Sequence, residues 1–247
     1  MSTYRIKPLP LSIIELDMAV FTYRFNYGKK IRVPNIAWYI EGADKHILVD
    51  TSADAKLATE FRGFPSEEIT SFEEALAGFG LNPNDIDIIL QTHLHWDHCA
   101  NTRKCKNAKV IVQEEELRFA LAPHPILAPG YKKDLLMDLN FMVVRGRYEV
   151  FPGIELIPTP GHTPGGQSVS IATAQGKAII TGFCCVKENF GPPEGAPKEV
   201  REVTPVIAPG VHLNAVEAFE SVLFVKGLAD IPIPHHEPSF IEVEGIP

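Results

Sequence analysis

Thr92-His93-Leu94-His95-Trp96-Asp97-His98 follows directly on the apolar run Ile88-Ile89-Leu90 and puts four metal-capable side chains within six residues. A strand sends successive side chains to opposite faces, so residues two apart point the same way. His93 and His95 are therefore expected to project together from a strand end. Asp97 and His98 come where the chain must turn, and a turn can aim them into the same space from another side. Imidazole and carboxylate are ligands for Zn²⁺, and for Fe or Mn. A lone buried histidine needs only one or two hydrogen-bond partners. Three histidines and an aspartate packed this tightly are hard to satisfy without a cation, so the stretch reads as a metal site.

Outward from this cluster, the sequence is that of a soluble α/β protein. Its 247 residues suit one domain with a large core, expected over residues 1–247. A net charge of −8 without Lys/Arg clusters argues against a nucleic-acid partner or an anionic membrane surface. No apolar run is long enough to span a bilayer, and the start has no signal-peptide pattern. The four cysteines (Cys99, Cys105, Cys184, Cys185) make no disulfide framework at this length, so reduced thiols and a cytoplasmic location are expected. Cys99 and Cys105 read as small buried hydrophobes, and His46, His124 and His212 as isolated surface or capping residues.

Ile36 to Ile40 and Lys45 to Val49 predict a hairpin ending at Asp50. Ser71-Phe72-Glu73-Glu74 is a capping-box sequence opening a short helix that Gly78 and Gly80 stop. Residues 113–122 predict a helix with Leu117, Phe119, Ala120 and Leu121 partly buried. Residues 123–142 are irregular, and residues 148–158 predict a strand pair turning at Pro152-Gly153. Thr159-Pro160-Gly161-His162-Thr163-Pro164-Gly165 is a loop stiffened by proline and glycine, able to hold one imidazole in place. Residues 211–227 predict a helix with Val216, Phe219, Leu223 and Phe224 in the core. The chain closes through Pro234-His235-His236-Glu237.

His93-Leu94-His95-Trp96-Asp97-His98 resembles the His-x-His-x-Asp-His signature of the metallo-β-lactamase-fold hydrolases, and further segments resemble the N-acyl homoserine lactonases in the same order. These are Ile47 to Thr51, Ile111-Val112-Gln113, Tyr148 to Gly153, Thr159 to Gly165 and Lys187-Glu188-Asn189-Phe190. The resemblance implies an αββα sandwich, two mixed β-sheets flanked by helices, with one or two metal ions at its loop edge. It implies His93, His95 and His162 as ligands of a first metal, and Asp97, His98 and His236 as ligands of a second, with His235 as the fallback for the last. It places Asp50 beneath the site. Asp97 is implied as the catalytic residue that orients the attacking water and carries a proton to the leaving group.

One departure from the resembled lactonases bears on the metal centre. They place a bridging Asp after the strand corresponding to Ala178-Ile179-Ile180-Thr181, and a Tyr shortly beyond it. This chain has Gly182 or Phe183 at the Asp position, depending on the direction of counting, and no Tyr follows. Cys184 is then a candidate extra metal ligand, with Cys185 as its neighbour; against this stands the reading of each thiol as a small buried hydrophobe.

The expected activity is metal-dependent hydrolysis of a small lactone or related cyclic ester or amide by a water activated at the metal, with Zn²⁺ as the expected ion. A glyoxalase II-like thioester hydrolase is the alternative; a diiron redox protein and a non-catalytic metal-binding protein stand further off. The expected partner is a small-molecule substrate, and an apolar N-terminal segment leaves a homodimer open.

Overall fold

Strand-period alternation of apolar residues builds two sheets whose inner faces meet. The computed structural model describes residues 3–247; Met1 and Ser2, the start of the expected domain, lie outside the described residues. The elements run β1 (Arg5–Asp17), β2 (Lys30–Glu41), β3 (Ile47–Val49), α1 (Ala55–Arg62), β4 (Ser66–Glu68), α2 (Phe72–Ala77), β5 (Ile88–Leu90) and α3 (Trp96–Cys99). They continue with β6 (Lys109–Gln113), α4 (Glu114–Leu121), β7 (Phe141–Val144), β8 (Tyr148–Phe151), β9 (Ile154–Pro158), β10 (Gln167–Thr173) and β11 (Gly176–Ile180). The last are α5 (Lys198–Val203), α6 (Ala215–Leu228) and β12 (Ile231–Ile233). The large sheet has the order β4-β1-β2-β3-β5-β6-β7 and the small one β12-β11-β10-β9-β8. Both are mixed: β3, β5, β6 and β7 run parallel, as do β11 and β12, while the remaining pairs are antiparallel.

The period of two decides what each face touches. Ile36, Trp38 and Ile40 of β2 meet Ile47 and Val49 of β3 and Leu90 of β5 between the sheets, where Leu156, Val169, Ile171 and Ile180 arrive from the small sheet. Ala37, Leu48 and Ile89 point the other way, onto Phe72 and Leu76 of α2. Ile179 points outward from the small sheet onto Val222 and Val225 of α6. Each such aliphatic side chain removed from water contributes roughly 1.5–3 kcal/mol, so helices are held on both outer faces. The expected αββα sandwich is observed. Among the described residues, no helix is long and apolar enough to cross a membrane.

The β2–β3 hairpin is observed with Trp38 opposite Val49. The capping box also forms: the Ser71 hydroxyl accepts from the Glu74 amide, and the Glu74 carboxylate accepts from the Ser71 amide. Two expectations need correction. In α6 the buried residues are Ala218, Ser221, Val222 and Val225, while Val216 is 70 % and Phe224 44 % exposed. The helix is apolar nearly all round, so spacing could not choose its inner face; the Ser221 hydroxyl, donating to the Pro160 carbonyl at 2.7 Å, lies on the face that docks. In α4, Leu121 is exposed and Glu116 is buried instead.

Candidate metal centre

The parallel arrangement brings several strand ends to one edge. Asp50 follows β3, residues 93–98 follow β5, His162 lies in the loop after β9, and His235 and His236 follow β12. The crevice beyond the carboxyl ends of such strands is where open α/β sheets bind ligands. The two sheets are laced there: the Gln167 amide donates to Thr92 O at 2.9 Å, and Gln167 Nε2 to Gln91 O at 2.8 Å. After His95 the chain enters the single turn of α3, which sets Asp97 and His98 side by side.

Two groups of ligand atoms result, each with its atoms within 4.8 Å of one another: His93, His95 and His162, and Asp97, His98 and His236. All six sequence-derived candidates are thus brought together. Hydrogen bonds decide which nitrogen each ring presents. His162 Nδ1 donates to Val211 O at 2.7 Å, His236 Nδ1 to Pro34 O at 3.2 Å, and His98 Nδ1 to the Asp50 carboxylate at 2.7 Å. In the neutral rings their Nε2 atoms are bare lone pairs; at His98 burial opposes the charged form, but the Asp97 and Asp50 carboxylates raise the ring's pKa. The Thr92 hydroxyl donates to Asp50 Oδ2 at 2.6 Å, so its oxygen is free to accept from His93 Nδ1 at 3.1 Å. His93 Nε2 is therefore bare as well, and it faces His162 Nε2 at 3.2 Å. Two lone pairs aimed at each other inside a protein are repulsive unless a cation lies with them. Burial pushes the pKa of His162 and of His236 down to about 4, and those of His93 and His95 well below the ordinary range. Neutral imidazoles tethered through one nitrogen are the form that binds metal. The residues present suit a metal pair.

Asp97 Oδ2 lies 3.6 Å from His98 Nε2 and 3.7 Å from His236 Nε2. Its burial opposes ionisation, but His98, His236 and His95 around it hold its pKa below the usual carboxylate value. Asp50 sits in a left-handed backbone conformation (φ 55°) that aims its carboxylate under the site. It accepts from Gln91 Nε2, the Thr92 amide, the Thr92 hydroxyl and His98 Nδ1, all at 2.6–2.9 Å. Four donors fill a carboxylate's lone-pair sites. His235 lies beside it, in a third group with Asp50 and His98, but with Nε2 bonded to Ile36 O at 3.0 Å. It is His236 that lines the cavity with Asp97, and His235 does not.

Cys184 does not join either group among the described residues. Its sulfur faces the Val20 carbonyl at 3.9 Å, and burial raises the thiol's pKa well above its usual value, away from the thiolate a metal would need. Cys184 nonetheless lines the same cavity as Asp97, His98 and His236. Cys185 Sγ is paired with the Thr181 hydroxyl at 3.1 Å, and Phe183 is buried against Phe190 and α6. The missing carboxylate has a steric reason at Gly182: a Cβ there would lie 1.9 Å from the Gln167 carbonyl oxygen.

Above the metal groups opens a cavity walled by Ile14, Leu16, Phe21, Phe64, Trp96 and Leu127, with Arg62 at its side. The Arg62 guanidinium donates to Pro129 O and packs over the Phe64 ring. Two features of this wall escaped the sequence reading. Gly130 lies against the His95 ring, where a Cβ would come within 2.7 Å of Cδ2. Glu116, one of three acids in the first turn of α4 and not singled out by the sequence, has its side chain buried against the Leu94 amide.

Residues 32–182 match the model of the metallo-β-lactamase superfamily. The chain belongs to that superfamily. N-acyl homoserine lactonase AiiA of Bacillus thuringiensis subsp. kurstaki is 30 % identical over 203 residues, 77 % of this chain and 80 % of the relative. N-acyl homoserine lactonase AttM of Agrobacterium fabrum is 30 % identical over 171 residues, 62 % of this chain and 65 % of the relative. A solved N-acyl homoserine lactone hydrolase, with the product N-hexanoyl-L-homoserine at its catalytic metal centre, superposes with a TM-score of 0.76 at 27 % identity. It covers 97 % of this chain and 95 % of that one. The likeness to the lactonases drawn from the motifs holds over most of the chain.

Proposed function

We propose that residues 1–247 form one metallo-β-lactamase-fold domain that hydrolyses a small lactone, or a related cyclic ester or amide, with one or two bound metal ions. The observation that carries this reading is the pair of ligand groups at the floor of an apolar cavity, in which His93, His98, His162 and His236 are each held through Nδ1 with Nε2 toward the site. His93, His95 and His162 would hold one ion, and Asp97, His98 and His236 the other. The nitrogen-rich donor set with one carboxylate favours zinc, with iron or manganese as substitutes. When bound, such ions make a water nucleophilic near neutral pH and polarise the carbonyl under attack.

The chain's own residues do the rest. The apolar wall from Ile14 to Leu127 holds the hydrocarbon part of the substrate and excludes water from the reacting bond. Trp96, between His95 and Asp97 in the chain, lines the cavity beside Phe64. Asp97 keeps one oxygen toward His98 and His236. Its other oxygen accepts no hydrogen bond among the described residues and can carry a proton to the departing alkoxide. Asp50 holds the His98 ring in the tautomer that presents Nε2. The partner is a small molecule, and the four free buried thiols favour the cytoplasm.

The test is ring opening of N-hexanoyl homoserine lactone, γ-lactones and phenyl esters by metal-analysed protein, followed by proton release. Activity on a lactone that chelation abolishes and added Zn²⁺ restores is expected. Full metal occupancy with no turnover of any lactone, ester or cyclic amide would refute the reading.

A further inference from the structure

Glu116, in the first turn of α4, is a buried carboxylate that no basic side chain pairs with among the described residues. Its oxygens are spent on three separate segments. Oε1 accepts from the Leu94 amide at 2.9 Å and from the Tyr131 hydroxyl at 3.3 Å. Oε2 accepts from the Gly165 amide at 3.3 Å. Leu94 is the peptide between His93 and His95, and Gly165 closes the loop that carries His162. The Tyr131 ring stands edge-on to His95 with centroids 4.7 Å apart. The approach is close enough to exclude side chains: a Cβ on Gly165 would lie 2.1 Å from the Glu116 nitrogen.

We propose that Glu116 is the positioning residue of the first metal site, one carboxyl group that clasps the segments carrying His93, His95 and His162. The inference rests on reading those histidines as a metal site. Three donors from three separate segments converge on the carboxylate. The helix N-terminus adds favourable amide dipoles. A glutamine fills the same space but turns an NH₂ toward an N–H that needs an acceptor. Partners that orient metal ligands from outside typically cost 10–100-fold in metal affinity when replaced.

The experiment is competition titration of the metal-free protein with Zn²⁺ against a chromophoric chelator, with Co²⁺ absorption as a second readout. The parent, Glu116→Gln and Tyr131→Phe are compared. Glu116→Gln is expected to weaken one of the two sites about 10–100-fold, to change the other little, and to shift the Co²⁺ bands of the weakened site. A purely structural role would lower the melting temperature and leave the affinity of the folded fraction unchanged, which would overturn the proposal. Should Glu116→Gln not fold, Tyr131→Phe decides. It removes one of the three donors and is expected to weaken the same site about threefold or more; parental affinity there would overturn the proposal. A parent protein that binds no metal would refute the metal-site reading itself, and the proposal with it.

Discussion

Replacing Gly130 by alanine is expected to disable the first metal site while leaving the fold intact. The added Cβ would stand 2.7 Å from His95 Cδ2 and 2.8 Å from Nε2. Ordinary carbon contacts lie at about 3.5–4.0 Å, so something must yield by about 1 Å. The loop is the firmer party. The Gly130 amide donates to Leu127 O at 2.9 Å, the Pro129 carbonyl accepts from Arg62, and the Tyr131 ring is buried between His95 and Phe119. The His95 side chain makes no protein hydrogen bond among the described residues, so its ring gives way. Metal–ligand distances tolerate only about ±0.2 Å, and a displacement of about 1 Å therefore removes His95 from the site. Affinity at that site should fall at least about 100-fold, beyond the loss seen when an outer partner is replaced. Gly130 is not at positive φ, so its backbone accepts alanine and the metal-free protein should change in stability by no more than about 1 kcal/mol. Chelator competition for the two sites and urea unfolding of the metal-free protein measure both quantities. First-site affinity within about threefold of the parent would refute the reasoning, because it would mean the loop moves and His95 does not.

Cys184→Ala is expected to keep the metal stoichiometry of the parent, since the sulfur faces Val20 O and not the ligand groups; loss of one ion per chain by elemental analysis would restore the thiol as a ligand. Gly182→Asp, at one of the two positions the resemblance offers for a carboxylate, should destabilise the fold by about 3 kcal/mol or more through overlap with the Gln167 carbonyl; an unchanged urea midpoint would contradict that. Ser71→Ala breaks the capping box of α2 and should cost about 1 kcal/mol. Turnover should stay unchanged, because α2 packs on the face of the large sheet opposite the other sheet; a large drop in kcat would show a coupling the packing does not contain.

Local chemistry made much of this protein legible in its sequence. Two histidines separated by one residue after an apolar strand, followed by an aspartate and a histidine, define ligand spacing wherever the strand is placed. Alternation in residues 36–49 defines a hairpin, and Ser71 to Glu74 defines a helix start, because both depend on neighbours within a few positions. The motif order was enough to indicate the two-sheet fold. Tertiary structure alone decided the rest. The inner face of α6 was chosen by docking against Ile179 and Pro160, since an all-round apolar helix carries no preference of its own. His236 and His235 are adjacent, and only the path of the chain beyond β12 turns one toward Asp97 and the other toward Ile36. Gly182 excludes a carboxylate because the Gln167 carbonyl from β10 lies against it. Glu116 belongs to an acidic run that locally favours water, and its burial follows from amides delivered by two loops distant in the chain. Contacts of that kind depend on how separate segments meet in space, which spacing along the chain does not encode.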